Sequence, residues 1–259
     1  MSKVEKSYKK PHYGKGAPKR RGVEEKLKGF LCSCNIRERD CVRESYNLLN
    51  KYADLLWPPQ AAASDANVEE SLETELKSLR SEKRFQVVDS GAKNLIFIKT
   101  TLEEPVTLAE HILQQIYESK SQETRFLIRL VPIETTCKAY IKDIEQAFQP
   151  LCERHFSLES KTFAVMFNHR NNNSVTRDEV IKTVADIVAK HGESRQLDHK
   201  VDLKNAELAI VLEVIRGFVF IGVVPNYFKY KKYNLLTFAP SEEPATDQCP
   251  SANTEPVEN

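Results

Sequence analysis

The chain has 259 residues, 41% hydrophobic and 29% charged, with 38 Lys and Arg against 37 Asp and Glu. That is enough to bury a substantial core, and two small α+β units fit the order of its elements better than one large domain. No apolar run approaches the roughly 20 residues that span a bilayer, and the first residues lack a signal peptide's apolar core, so a soluble, intracellular chain with no membrane partner is expected.

The formal net charge of +1 conceals a segregation of sign. Residues 1–22 hold eight Lys or Arg against Glu5, and residues 241–259 hold five acids and no Lys or Arg. Both ends read as disordered: a basic arm over 1–27 and an acidic tail over 239–259. Pro18 to Gly22, PKRRG, has the composition of either a nuclear address or a phosphate-binding arm.

After the arm, Phe30, Cys32, Cys34 and Ile36 alternate as on a half-buried strand. Asp40 is placed to cap a helix buried through Val42, Tyr46, Leu49 and Ala53, which Trp57-Pro58-Pro59 stops. A linker at about 58–67 follows, then a helix with Val68, Leu72, Leu76 and Leu79 in register, then FQVVD and NLIFIKT as a hairpin around Ser90-Gly91. These elements predict a ferredoxin-like unit over 28–104.

A second unit, over 105–238, is expected to open at a capping box of Thr107 and Glu110. The strand RFLIRLV follows, with Pro132 forcing a turn. Cys137, Ile141, Ile144 and Phe148 mark the next helix, leaving Lys138 and Lys142 on its polar side. Phe163, Val165 and Phe167 mark a strand, and Thr176 and Glu179 a second capping box before Val180, Val184, Ile187 and Val188. ELAIVLEVI and GFVFIGVV, joined at Arg216-Gly217, are so apolar that both faces should be covered.

No catalytic constellation survives inspection, so a non-enzyme without cofactor or metal is expected. His191-Gly192-Glu193 has the H-x-E half of a zinc deaminase signature without its cysteine half, and reads as a helix-end histidine. Cys32 and Cys34 share a strand face with Phe30, so small core residues explain them without zinc, and six irregularly spaced cysteines predict reduced thiols. With eight glycines the chain has neither of the familiar glycine-rich phosphate loops.

The binding signals are stronger. Asn168 to Arg177, NHRNNNSVTR, lies between strand and helix and offers amide, imidazole and guanidinium donors plus the free N–H groups of a helix start, all suited to phosphate and ribose; an ordinary polar loop has the same composition. Arg129 interrupts an apolar strand and must reach solvent, a partner or a structural ion pair. Phe228 to Tyr233, FKYKKY, interleaves rings with lysines, as for stacking on single-stranded RNA or for a domain edge with its rings turned inward.

Taken together, GFLCSCNIRERDC, RFQVVDSGAKNLIFIKT, RLVPIETTCKA, NHRNNNSVTRDEVI and KVDLKNAE resemble the stand-alone THUMP-domain proteins associated with tRNA cytidine acetylation. The resemblance covers about residues 29–235 and implies an α+β chain with an N-terminal ferredoxin-like domain followed by a THUMP domain. It implies a non-catalytic, nuclear or nucleolar adaptor, with a cytosolic share, that grips the tRNA acceptor end. Such an adaptor presents serine and leucine tRNAs to an RNA cytidine acetyltransferase making 4-acetylcytidine in the D-arm.

The RNA contacts expected on these grounds are Arg129, Lys138, Lys142, His169, Arg170, Asn171, Asn172, Arg177, Lys200, Lys229 and Lys231. Relatives often carry Asn-Pro where this chain has Asn205-Ala206, which should loosen the loop near Lys204. Two alternatives stay open: a general structured-RNA binder in ribosomal RNA maturation, and an RNA-modifying enzyme with a site around His169 and Glu179.

Overall fold

A computed structural model describes residues 22–58 and 83–238. The expected helix over 68–79, most of the linker and arm, and the acidic tail lie outside the described residues.

The chain opens with strand β1 (Gly29–Cys34) and helix α1 (Glu38–Leu56). Cys41, Ser45, Leu48, Leu49, Tyr52 and Ala53 are buried at helical spacing, and the helix ends at Trp57, before a proline that disfavours the α conformation. Asp40 is not the cap. It lies within the first turn, bridged by Arg37 at 2.7 Å and Arg43 at 3.2 Å, where its charge suits the helix dipole. Ile36, expected on the buried face of β1, is 80% exposed with φ 60, because the chain turns there into α1.

Strands β2 (Phe85–Val88) and β3 (Leu95–Thr100) form the expected hairpin. Helix α2 (Pro105–Ser119) and strand β4 (Leu127–Ile133) follow. The Thr107–Glu110 capping box does not form: Glu104 is the N-cap, Pro105 takes the first helical position, and the Thr107 hydroxyl donates to Glu104 Oε2 at 3.1 Å.

The four strands form one sheet in the order β2-β3-β1-β4, the ferredoxin-like βαββαβ arrangement. The expected boundary at 104/105 therefore needs correcting, because β4 pairs along β1 from Gly29↔Ile133 to Cys34↔Leu127. Helix α2 and β4 complete the first unit rather than opening the second. Pro132 forces no turn: it is paired with Phe30 inside β4, and the strand has no further strand of its sheet on its other side to receive a missing N–H bond. Residues 22–27, assigned above to the arm, are tied to the fold, with the Lys26 and Leu27 N–H groups donating to Thr136.

Beyond Ile133 the chain runs straight into β5 (Thr135–Lys138) of a second sheet, and the Glu134 N–H donates to Ile221 O at 2.9 Å. Helix α3 (Ile141–Phe156), strand β6 (Thr162–Arg170), helix α4 (Arg177–Arg195) and strands β7 (Lys200–Val201), β8 (Leu208–Ile215) and β9 (Phe218–Pro225) complete it. The order is β5-β9-β8-β6-β7, with β6 parallel to both neighbours. Cys137 and Lys138 belong to β5, so the helix expected to include them starts at Ile141, after Thr135 and Thr136 have favoured the strand. The Thr176–Glu179 capping box forms as expected.

Both faces of the second sheet are covered. Helices α3 and α4 bury Leu208, Ile210, Leu212 and Val214 on one side. On the other, Ala209, Val211, Ile215 and Phe220 join the core of the first unit, with Phe97 and Phe220 edge to face at 5.0 Å. The sheets approach so closely at Gly222 that a Cβ there would lie 2.3 Å from Pro132 O.

Candidate nucleic-acid interface

The last three residues of β6, Asn168, His169 and Arg170, run past the buried part of the sheet and are exposed. Strand alternation sends Asn168 and Arg170 to one face and His169 to the other, where its ring lies 5.9 Å from Phe167. Asn168 is in register with Glu213 of β8, and its amide donates to Glu213 Oε1 at 2.7 Å. Arg177, the first residue of α4, reaches back to Phe167 O at 3.4 Å.

Arg129 arrives from the first unit, on β4. Its backbone is fixed by a bridge to Asn234, flanked by Leu130 N–H donating to Tyr233 O at 3.1 Å and Leu235 N–H to Ile128 O at 2.8 Å. Arg129, Asn168, His169, Arg170, Arg177 and Glu213 thereby line one cleft of about 460 Å³ with Phe167. Three guanidiniums and a single carboxylate line it. Burial pushes that carboxyl up from its ordinary value, while Asn168, Arg170 and Arg129 pull it down. Among the described residues neither Arg129 nor Arg170 has an ion-pair partner within 4.0 Å, so the cleft presents a positive surface rich in donors.

Four of the expected contacts therefore meet: Arg129, His169, Arg170 and Arg177. Asn171 sits on the rim with φ 54. Asn172 is committed to the loop, its amide donating to Ser174 Oγ and Arg216 O and its carbonyl accepting from the Ser174 N–H at 3.0 Å. The helix start is not an open anion cradle, because Thr176 and Glu179 cap it and Asp178 and Glu179 make its first turn acidic. Glu179, named above in a catalytic alternative, is occupied by that cap, accepting from Thr176 Oγ1 at 2.8 Å.

The remaining residues lie elsewhere. Lys138 is at the same end of the sheet, but β9 and β8 separate it from β6, a step of about 14 Å across strands. Its ammonium is held by Glu25 at 3.1 Å, which raises its pKa. Lys142 is exposed on the first turn of α3. Lys200 pairs with Thr162, eight residues from Arg170 on β6 and so roughly 26 Å away, and bridges Asp198 at 3.2 Å.

Lys229 and Lys231 belong to the turn after β9. The tyrosine rings between and beside them do not stack outward, since Tyr227, Tyr230 and Tyr233 are buried in the core. The loop expected to loosen around Lys204 is pinned by Asp202, whose Oδ1 accepts from the Lys204 and Asn205 N–H groups at 2.8 and 3.0 Å.

Glu213 was not singled out from sequence, and Asn168 only as the first residue of the polar run. The signal for Glu213 was available: it is a lone acid in an apolar strand, as Arg129 is a lone base in another. Cys32 and Cys41 are fully buried, and burial pushes the Cys32 thiol up to about 12, as expected for core residues. His191 lies in α4 with its Nε2 3.0 Å from Ser157 Oγ, and burial lowers its pKa.

Residues 138–224, from the end of β5 through both helices to β9, match the THUMP domain model. The chain is 35% identical to the THUMP domain-containing protein 1 homolog of Drosophila melanogaster, over 89% of this chain and 80% of that protein. It is 38% identical to THUMP domain-containing protein 1 of Bos taurus, over 83% of this chain and 64% of that protein. With tRNA acetyltransferase TAN1 of Saccharomyces cerevisiae it shares 27% identity, over 80% and 83% of the two chains. The chain belongs to the THUMP domain-containing protein 1 family, and it spans somewhat less than two thirds of the bovine relative's length.

Proposed function

We propose that this chain is a tRNA-binding adaptor without a chemical step of its own, presenting serine and leucine tRNAs to an RNA cytidine acetyltransferase for 4-acetylcytidine formation in the D-arm. The observation that carries the reading is the cleft between β4, β6 and α4. The guanidiniums of Arg129, Arg170 and Arg177 present fixed forks of N–H donors and no acceptor, so they suit holding phosphates rather than moving protons. The yeast relative's name supports tRNA acetylation as the setting. The basic cluster PKRRG supports a nuclear or nucleolar place of work.

The adaptor's task is positional. Holding the tRNA acceptor end while the partner engages the D-arm raises the effective concentration of the target cytidine at the partner's active site. The test is 4-acetylcytidine formation on purified serine tRNA by the acetyltransferase, with and without this chain, scored by mass spectrometry. The reading expects product only when the chain is present. Equal product in both reactions overturns it, and turnover by the chain alone with acetyl-CoA would make it an enzyme.

A further inference from the structure

At the far end of the second sheet the fold assembles another positively charged concavity, of about 630 Å³, between the loop after β7 and the turn after β9. Its lysines are Lys204 on the loop and Lys229, Lys231 and Lys232 on the turn, all exposed. Residues 25 or more apart in sequence are brought together by fixed structure on both sides. Asp202 pins the loop, and the Asn226 amide of the turn donates to Glu110 Oε1 at 2.9 Å. Lys231, Lys232 and Tyr233 take φ of 49, 63 and 58, left-handed conformations that non-glycine residues adopt only where the surrounding structure holds them. The buried rings of Tyr227, Tyr230 and Tyr233 hold them there and turn the lysines outward.

The concavity keeps a net positive charge, with four lysines against the single Glu207 carboxylate on its wall. Among the described residues none of the four ammonium groups has an ion-pair partner within 4.0 Å. The acid on the wall, Glu207, is engaged by the Thr162 N–H at 2.8 Å and hydroxyl at 3.1 Å, which hold its carboxyl below the ordinary value. Lys229 lies over the Tyr117 and Tyr230 rings at 5.4 and 5.3 Å, which directs it without removing its charge. Four like charges converging on one concavity favour a polyanion. The wall's one ring, Phe228, is half-buried and packed against the core, so the concavity suits phosphates rather than stacked bases.

We propose that Lys204, Lys229, Lys231 and Lys232 form a second phosphate-binding site that grips the backbone of the same RNA, without reading its sequence. The inference rests on the RNA-binding reading above. Measured along β8 from Leu208 to Glu213, the two sites are about 17 Å apart, and a nucleic-acid duplex of that length carries on the order of ten phosphates. One folded RNA can therefore occupy both.

The experiment is equilibrium binding of serine tRNA and of an unrelated tRNA, at several salt concentrations, to the full chain and to Lys204→Ala/Lys231→Ala/Lys232→Ala. The variant is expected to lose affinity equally for both RNAs, on the order of a hundredfold at 0.15 M salt, with a log–log salt slope lower by about two to three units. The corresponding triple Arg variant should restore both. Lys204→Glu, outside the left-handed turn, carries the same test if the triple variant is unstable. Wild-type affinity and slope in a folded lysine variant would overturn the second site alone, whereas a wild-type chain that binds no tRNA would overturn both this inference and the functional reading.

Discussion

Burial raises the Glu213 carboxyl above its ordinary value of 4.5, and the Asn168 hydrogen bond and the charges of Arg170 and Arg129 only partly offset it. A carboxyl with a raised folded-state pKa binds its proton more tightly folded than unfolded. Below 4.5 both states are protonated and no penalty arises; as pH climbs from there through the folded value, the penalty develops and then persists. Glu213→Gln keeps an acceptor for Asn168 without the titration. The melting temperature of the wild type relative to this variant should therefore fall as pH rises from 4.5 to neutral, measured by paired thermal melts. A difference independent of pH would contradict the assignment. What was legible at this scale was charge out of place: Arg129, Arg170 and Arg177 were found as bases beside apolar strands or at a helix start. Lys200 and Lys229 have the same composition but fold to the other end of the sheet, and no local pattern separates the two groups.

Elements were easier to read than their partners. Periodicity located α1, α3, α4, β6, β8 and β9, and the apolar runs of β8 and β9 correctly implied cover on both faces. The membership of β4 was not legible, because its pairing with β1 spans about a hundred residues of chain and leaves no mark on local alternation. Two features of that region could be read only in three dimensions: the direct passage from β4 into β5, and the glycine that lets β9 pass the Pro132 carbonyl. Gly222→Ala places a methyl 2.3 Å from that oxygen, so the sheets must part. Overpacking of this kind should cost about 1–3 kcal/mol, seen as a lower urea midpoint with an unchanged m value. An unchanged midpoint would show that the sheets separate freely there.

Across the whole molecule, the two sheets share one core, so the cleft is a composite: Arg129 comes from the ferredoxin-like sheet, and His169, Arg170 and Arg177 from the THUMP domain. A chain of this family with either unit displaced would split its guanidiniums. The two-unit order was legible in the sequence, whereas the interlock was not, because it depends on rings such as Phe97 and Phe220 meeting between sheets. The most direct measurement is tRNA binding between about 50 and 200 mM salt by the wild-type chain and by Arg129→Ala/Arg170→Ala/Arg177→Ala, with far-UV circular dichroism to verify folding. If the cleft holds the RNA backbone, affinity falls and the log–log salt slope drops by about 0.9 for each phosphate no longer neutralised, close to three units in all. A folded triple variant with the wild-type affinity and slope would contradict the account.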